Sequence, residues 1–255
     1  MPTDTPSTRA TPNPPDAFDA RTRTYIWLTG LFVTCLLLSN ILGVKLFSFA
    51  VDWPLFGPFK IEHTVGMLTF PITFLLTDLL NEFYGKKAAR RVTLLGFTMG
   101  LIAFVLIYLA RKAPILHGIP GTATHESFEN IFGAAALMYL ASMIAFLVGS
   151  MLDIFLFGLF KRLTGEKMVW LRATGSTVIS QLFDSFIVTF VFFQVLPIVT
   201  GGKPAGLSFV LSTAATGYVL KFFISIMLTP AIYAGRFAMR RWLGMHPIAA
   251  DALAV

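Results

Sequence analysis

Apolar residues in this chain form long runs, and short polar segments rich in Lys and Arg separate them. A helix needs about 20 mostly apolar residues to cross the hydrocarbon core of a bilayer. Six stretches meet this requirement, at about 24–44, 64–83, 91–110, 131–159, 174–199 and 207–235. The pattern therefore predicts an all-α integral membrane protein, a bundle of about six transmembrane helices.

Two tails are predicted to lie outside the helical domain 24–241. Residues 1–23 are rich in Pro, Thr and Asp, which is typical of a disordered tail, and residues 242–255 form a second tail. The segment 45–62 contains Pro54, Gly57 and Pro58, and these residues interrupt helices. We expect an ordered external loop or a short hairpin there, with a re-entrant segment as the alternative.

The Lys and Arg residues predict the side of the membrane that each loop faces, because cytoplasmic loops carry an excess of them. With the N terminus inside, fourteen of the 20 basic residues fall in inside segments and five fall in outside segments, while Lys221 lies in the last helix. The inside set is Arg9, Arg21, Arg23, Lys86, Lys87, Arg90, Arg91, Lys161, Arg162, Lys167, Arg172, Arg236, Arg240 and Arg241, and the outside set is Lys45, Lys60, Arg111, Lys112 and Lys203. Both termini are therefore predicted to be cytoplasmic.

The composition agrees with a membrane protein and argues against several other classes. Hydrophobic residues make up 56% of the chain and charged residues 13%, whereas an ordinary soluble domain has about 25% charged residues. The net charge of +7 is spread over the inside loops as a topology signal, so we expect no nucleic-acid partner. Cys35 is the single cysteine, which excludes a disulfide framework and a cysteine-based metal site.

Sequence motifs for catalysis are missing. The chain has no HExxH, no GxSxG, no phosphate-binding loop and no cluster of histidines, which are the patterns expected for the corresponding enzymes. An intramembrane aspartyl protease would need sequence contexts that the aspartates here do not have. We therefore expect no enzyme, no cofactor and no metal.

Four ionisable residues lie inside the predicted helices: Asp78, Asp153, Asp184 and Lys221. Each costs about 2.5–3.5 kcal/mol on insertion scales, so each needs a partner or a functional role. One interpretation is structural, because an aspartate paired with Lys221 can simply tie two helices together. Asp153, next to the small residue Gly149, predicts a close helix contact.

Polar residues also recur at helical spacing on several helices, which favours a hydrated cavity inside the bundle. Residues three and four apart share one face of a helix. Such stripes are Asp78, Asn81 and Glu82 in the second helix, Thr177, Gln181 and Asp184 in the fifth, and Thr213, Gly217 and Lys221 in the sixth, with Asn40 in the first. A solvated position at the membrane boundary is the alternative for Glu82, and packing or contact with lipid is the alternative for the many phenylalanines.

One segment resembles the signature of a known family. Residues 69–91, TFPITFLLTDLLNEFYGKKAARR, resemble the FPxxFLxTD…NExYGxxxAR block of the queuosine-precursor transporter family, also described as vitamin uptake transporters. Further matching positions are Ser39, Asn40, Asp153, Ser176, Thr177, Asp184, Ser185, Lys221 and Pro230. The resemblance covers roughly residues 30–235.

The resemblance implies uptake of 7-cyano- or 7-aminomethyl-7-deazaguanine across the bacterial inner membrane, for salvage of the tRNA base queuosine. A guanine-like ring presents two adjacent N–H donors and a carbonyl, which suit a carboxylate beside an amide or an ammonium group. The residues that we expect to bind it are Asn40, Asp78, Asn81, Glu82, Gln181, Asp184 and Lys221, with Phe74 available to stack on the ring.

Two other functions stay open at this point. The size and helix count also suit the substrate-binding subunit of an ATP-driven vitamin or nucleobase uptake system, and a non-transporting membrane scaffold is the third interpretation. A scaffold would not need polar stripes that face a common centre. Whether the chain forms a homo-oligomer or uses an energising partner is left open as well.

Overall fold

The computed structural model describes residues 19–53, 57–116, 123–133, 135–164 and 168–248. That part of the chain contains eight α-helices: α1 (Ala20–Leu42), α2 (Phe70–Tyr84), α3 (Lys86–Lys112), α4 (His125–Phe132), α5 (Ala135–Thr164), α6 (Val169–Phe190), α7 (Leu196–Val199) and α8 (Leu207–Arg241). It also contains two strands, β1 (Leu46–Trp53) and β2 (Gly57–Thr64). A π-helical turn over Val191–Val195 joins α6 to α7.

Five helical segments are long and apolar enough to cross a membrane. They are Ala20–Leu42, Lys86–Lys112, Met138–Thr164, Val169–Val199 and Leu207–Arg241. The second predicted stretch instead forms a 3₁₀ turn, Val65–Leu68, followed by the 15-residue helix α2. At about 1.5 Å per residue, α2 is only about 22 Å long, shorter than the bilayer core. The prediction of an all-α membrane protein is confirmed, and five of its six expected spans have the length of a full span.

Helix α2 lies at the centre of the bundle, and this position explains how it can carry so many polar residues. It packs against α1, α3, α5 and α8, and every residue from Leu76 to Phe83 is buried. Protein surrounds it on all sides, so its polar groups do not face lipid. The helix ends at Gly85, whose φ of 85° suits glycine because this residue has no Cβ, and α3 begins at the next residue.

Successive long helices run in opposite directions, so the bundle has two distinct ends. We call the inner end the one that holds Gly85, the start of α6 and the C-terminal parts of α5 and α8. The hairpin and α4 lie at the opposite, outer end. Basic residues predict that the inner end faces the cytoplasm, and this orientation stays a prediction.

Two local predictions are confirmed in the structure. The segment after α1 is a hairpin, in which β1 and β2 pair antiparallel from Leu46 opposite Thr64 to Trp53 opposite Gly57. The small residue Gly149 permits a close approach of α5 to α6, since a Cβ built there would lie 3.1 Å from Asp184 Cβ.

The two predicted tails fall largely outside the described residues. Residues 1–18 and 249–255 are the parts of the tails that lie outside the described residues. Helix α1 begins at Ala20, directly after Asp19, whose carboxylate accepts a hydrogen bond from the Thr22 amide at 3.0 Å. Residues 242–248 fold back over the inner end of α2. The Ile248 amide donates to the Glu82 carbonyl at 2.9 Å, and Met245 is buried beside Phe83.

Candidate functional site

The polar face of α2 presents two buried side chains with unused hydrogen-bonding groups. Asp78 is 2% exposed, and neither carboxylate oxygen accepts a hydrogen bond from any described residue. Asn81, one turn further, donates from Nδ2 to the Ile154 carbonyl at 3.2 Å, while its Oδ1 likewise lacks a described donor. Buried polar groups are nearly always hydrogen-bonded, so such atoms indicate a place where a ligand or water binds.

Helix α6 contributes the second half of the site. Gln181 is 2% exposed, and within the described parts of the chain neither its amide nitrogen nor its amide oxygen has a hydrogen-bond partner. The Ser185 hydroxyl, one turn further, is also buried without such a partner. The residues on the predicted stripe of α6 are therefore buried inside the protein and do not face lipid.

Asp153 on α5 accepts hydrogen bonds from α6 and lies near Asp78 of α2. The hydroxyls of Thr177 and Ser180 lie 3.2 and 3.1 Å from Asp153 Oδ1, in hydrogen-bonding geometry. Its carboxylate is also close enough to Asp78 for the two charges to interact. Two buried acids thus occur together, one with hydroxyl donors and one without a described donor.

Asp184 and Lys221 form a buried ion pair between α6 and α8. Lys221 Nζ donates to Asp184 Oδ2, and both side chains are mostly buried. The ammonium also lies 5.5 Å from the centroid of the Phe70 ring, within the range of a cation–π contact. This pair carries no net charge, so Lys221 adds none to the pocket that it lines.

A small pocket lies between α2, α6 and α8, and its lining residues do not include Asp78, Asn81 or Asp184. Its wall includes the predicted site residues Phe74, Gln181 and Lys221. Phe70 and Phe74 line it too, with ring centroids 5.0 Å apart in an edge-to-face arrangement. The structure thus places a flat aromatic surface beside the amide of Gln181.

Glu82, also predicted to bind substrate, has a different environment. Its carboxylate lies 2.5 Å from Arg172 Nη2, 3.1 Å from Lys161 Nζ and 3.4 Å from Arg236 Nη2. Lys161 also donates to the Glu82 carbonyl at 3.3 Å. We call these four residues the Glu82 cluster. One carboxylate therefore joins α2 to α5, α6 and α8.

The three cations of the Glu82 cluster were not predicted as functional residues, because their positions near helix ends made them topology signals. Arg172 and Lys161 are nevertheless buried at 0% and 1% exposure. A signal was present for Arg172. It lies one turn before Ser176 and two before Ser180, so it extends the polar stripe of α6 toward the inner end.

Asn40 lies in another part of the bundle. Its Nδ2 donates to the Leu36 carbonyl at 2.9 Å, and its side chain lines a second pocket near the outer end. That pocket lies between α1, α3, α4 and α5, and its rings come from Phe104, Tyr108, Phe132 and Tyr139. The structure therefore does not bring Asn40 to the pocket that Gln181 and Lys221 line.

An ion pair at the outer end contrasts with the buried groups. Arg111 Nη2 lies 2.6 Å from Glu129 Oε2, and both side chains are partly exposed. The Arg111 guanidinium lowers the pKa of the Glu129 carboxyl, chiefly through this hydrogen bond.

Across the described residues, no group of three or more His, Cys, Asp or Glu side chains could hold a metal ion.

Comparison with known proteins points to one family. The family model described as "Putative vitamin uptake transporter" matches residues 64–235. A Bacillus subtilis protein named "Probable queuosine precursor transporter" is 32% identical over 216 residues, which cover 83% of this chain and 82% of that protein.

Two further relatives carry similar names. A Haemophilus influenzae "Probable queuosine precursor transporter" is 27% identical, over 83% of this chain and 85% of its own length. The Escherichia coli "Queuosine precursor transporter" is 26% identical, over 68% of this chain and 70% of its own length. No solved structure gives a significant match.

Proposed function

The chain belongs to the vitamin uptake transporter family, and we propose that it imports the queuosine precursors 7-cyano- and 7-aminomethyl-7-deazaguanine across the bacterial inner membrane. The names of its three relatives support this class of substrate. The single observation in the structure that carries the proposal is the set of unused, buried hydrogen-bonding atoms on Asp78 and Gln181.

The chemistry of a deazaguanine ring fits these atoms. Its ring N–H and exocyclic amine point the same way, and the two oxygens of one carboxylate accept both hydrogen bonds side by side. We assign this role to Asp78. The adjacent ring carbonyl needs a donor, which the Gln181 amide provides, and the amide oxygen remains available to a further N–H.

Aromatic groups and a neutralised ion pair in the pocket wall support a flat heterocyclic ring. Phe74 and Phe70 supply ring surfaces, and aromatic stacking adds about 0.5–1.5 kcal/mol beyond area burial. Lys221 contributes no net charge, because Asp184 neutralises it. The ring would therefore be held by stacking and by neutral or charge-assisted hydrogen bonds.

The proposal is tested by uptake and by binding. Radiolabelled 7-cyano-7-deazaguanine should accumulate in a transport-deficient bacterial strain that expresses this chain, and the purified protein should melt at a higher temperature with the precursor than without it. A ligand at 100 times its Kd adds about 2.7 kcal/mol to stability. Free guanine is the comparison ligand.

A matched pair of variants connects this test to the site. Gln181→Ala removes an amide from the pocket wall, whereas Gln194→Ala makes the same change near Ala205, outside the pocket. We expect loss of uptake and of ligand protection only in Gln181→Ala. Equal stabilisation by guanine and precursor, or none by either in a folded protein, would refute the proposed substrate.

A further inference from the structure

The Glu82 cluster closes the inner end of the bundle directly below the candidate site. Glu82 lies one helical turn from Asp78 on α2, so the site and the cluster share one face of one helix. Arg172 is close enough to interact with both carboxylates. On α2, the cluster therefore lies between Asp78 and the inner end of the helix.

Apolar residues and a chain terminus complete the closure. Phe83 and Met239 pack together below the cluster, and Met245 joins them from the segment after α8. The backbone of that segment is anchored through Ile248 to the Glu82 carbonyl. From the other side, Arg21 of α1 donates to the Phe83 carbonyl at 2.7 Å. Segments from both ends of the described chain thus meet at the end of α2.

The chemistry of the closure is suited to repeated opening. Buried ion pairs gain little net stability, because the cost of removing the charges from water offsets much of their attraction. When helices separate and water enters, Glu82 and its three cations recover their hydration. The apolar part of the closure opposes opening, because exposing Phe83, Met239 and Met245 to water costs free energy in proportion to the exposed area.

We propose that the Glu82 cluster is the inner gate of the transport path, and that separation of Glu82 from Lys161, Arg172 and Arg236 releases the bound molecule toward the cytoplasm. The inference rests on the proposed function, because a gate presumes transport. It assigns the structure to the state in which the inner side is closed. It also gives Arg172, Lys161 and Arg236 a role in the transport cycle.

A disulfide that locks α2 to α8 tests the gate without changing its charges. A Cβ built on Gly235 would lie 3.7 Å from Leu79 Cγ, so Leu79→Cys with Gly235→Cys, in a Cys35→Ala background, places two thiols together beside Arg236. We expect oxidation to lower uptake of labelled 7-cyano-7-deazaguanine by about tenfold or more, since release needs an opening motion. Reduction should restore uptake, and the single-cysteine variants should not respond to oxidant.

A binding measurement distinguishes an error in the proposed gate from an error in the proposed function. The locked protein should keep the thermal protection that the precursor gives to the reduced protein, because the lock leaves Asp78 and Gln181 unchanged. Full uptake by protein that is shown to be cross-linked would overturn the gate. Loss of precursor protection in wild type would instead refute the proposed substrate.

A second test opens the gate and needs no ligand. Arg236 is the most exposed cation of the cluster, so Arg236→Gln should weaken the closure while the protein still folds. In inside-out vesicles, a membrane-impermeant maleimide should label Ser176→Cys several times faster with Arg236→Gln than with Arg240→Gln, a matched change at an exposed position of the same helix. Equal labelling rates would show that the cluster only ties helices together.

Discussion

Asp78 and Glu82 are buried carboxylates one turn apart on the same helix, and their surroundings are opposite. Glu82 contacts three cations from three other helices. Asp78 accepts no hydrogen bond from the described residues. A carboxylate that is surrounded by cations stabilises the closed bundle, whereas one whose two oxygens lack described donors is prepared to bind donors from a ligand. The contacts of a buried carboxylate, and not its position on the helix, therefore decide its role.

The largest effect on stability is expected at Glu82. Glu82→Gln removes the carboxylate that Arg172 and Lys161 contact in the cluster, and breaking a buried pair costs about 3–5 kcal/mol. We expect a strong loss of yield and a lower melting temperature in detergent. A variant as stable as wild type would show that the cluster is already hydrated, and the contrast with Asp78 would fail.

A somewhat smaller effect is expected for the Asp184–Lys221 pair, because the Lys221 side chain is partly accessible. Asp184→Asn and Lys221→Met should each destabilise the protein toward the lower end of about 3–5 kcal/mol. The double variant should recover yield, since no unpaired charge remains.

Uptake by this double variant gives the role of the pair. Lys221 lines the pocket, so we expect the double variant to be well expressed and inactive. Full recovery of uptake would reduce the pair to a structural tie and leave Asp78 and Gln181 as the principal ligand-binding residues.

Asp78→Asn should have the opposite effect to Glu82→Gln, because we expect it to leave stability nearly unchanged and to abolish uptake. The amide has nearly the same shape as the carboxyl group, and no described donor is lost, so we expect a loss of stability below about 1 kcal/mol. Melting curves and precursor uptake on the same preparation check both halves. Strong destabilisation would place Asp78 with Glu82 as a structural residue.

The smallest effect is expected at the outer end, for Glu129→Gln. The pKa of Glu129 is lowered from its ordinary value of 4.5, so its pair with Arg111 contributes stability above that value and loses it as pH falls through the lowered pKa. The variant should melt slightly below wild type at neutral pH and together with it in acid. A difference that persists in acid would exclude the ion pair as its source.

Much of this architecture could be predicted from the sequence. The hydrophobic runs predicted all the long helices, since a membrane span requires a long apolar segment. The helical spacing of the polar residues indicated that they face the interior, as it did for Asp78, Asn81, Gln181 and Asp184. The length of α2 could not be predicted. The apolar residues 64–69 form the end of a strand and a 3₁₀ turn, which hydropathy does not distinguish from a helix.

The placement of charges near helix ends was harder to predict. Lys161, Arg172 and Arg236 agree with the rule for cytoplasmic loops and are also buried around Glu82, and the rule counts charges without giving their contacts. Asn40 illustrates the same limit, because an inward-facing polar residue on α1 can reach either of two pockets. Only the packing of α3 and α5 against α1 places it in the outer one.

In the proposed site, the carboxyl group of Asp78 binds the donor edge of a deazaguanine ring. The most direct test compares binding of 7-cyano-7-deazaguanine and of its analogue without the exocyclic amine, by calorimetry, to wild type and to Asp78→Asn. Loss of one charge-assisted hydrogen bond costs about 1.5–3 kcal/mol, so wild type should bind the analogue at least about tenfold more weakly. Asp78→Asn should bind both ligands weakly and with similar affinity. If Asp78→Asn instead binds the precursor over the analogue with the same preference as wild type, Asp78 does not bind the exocyclic amine.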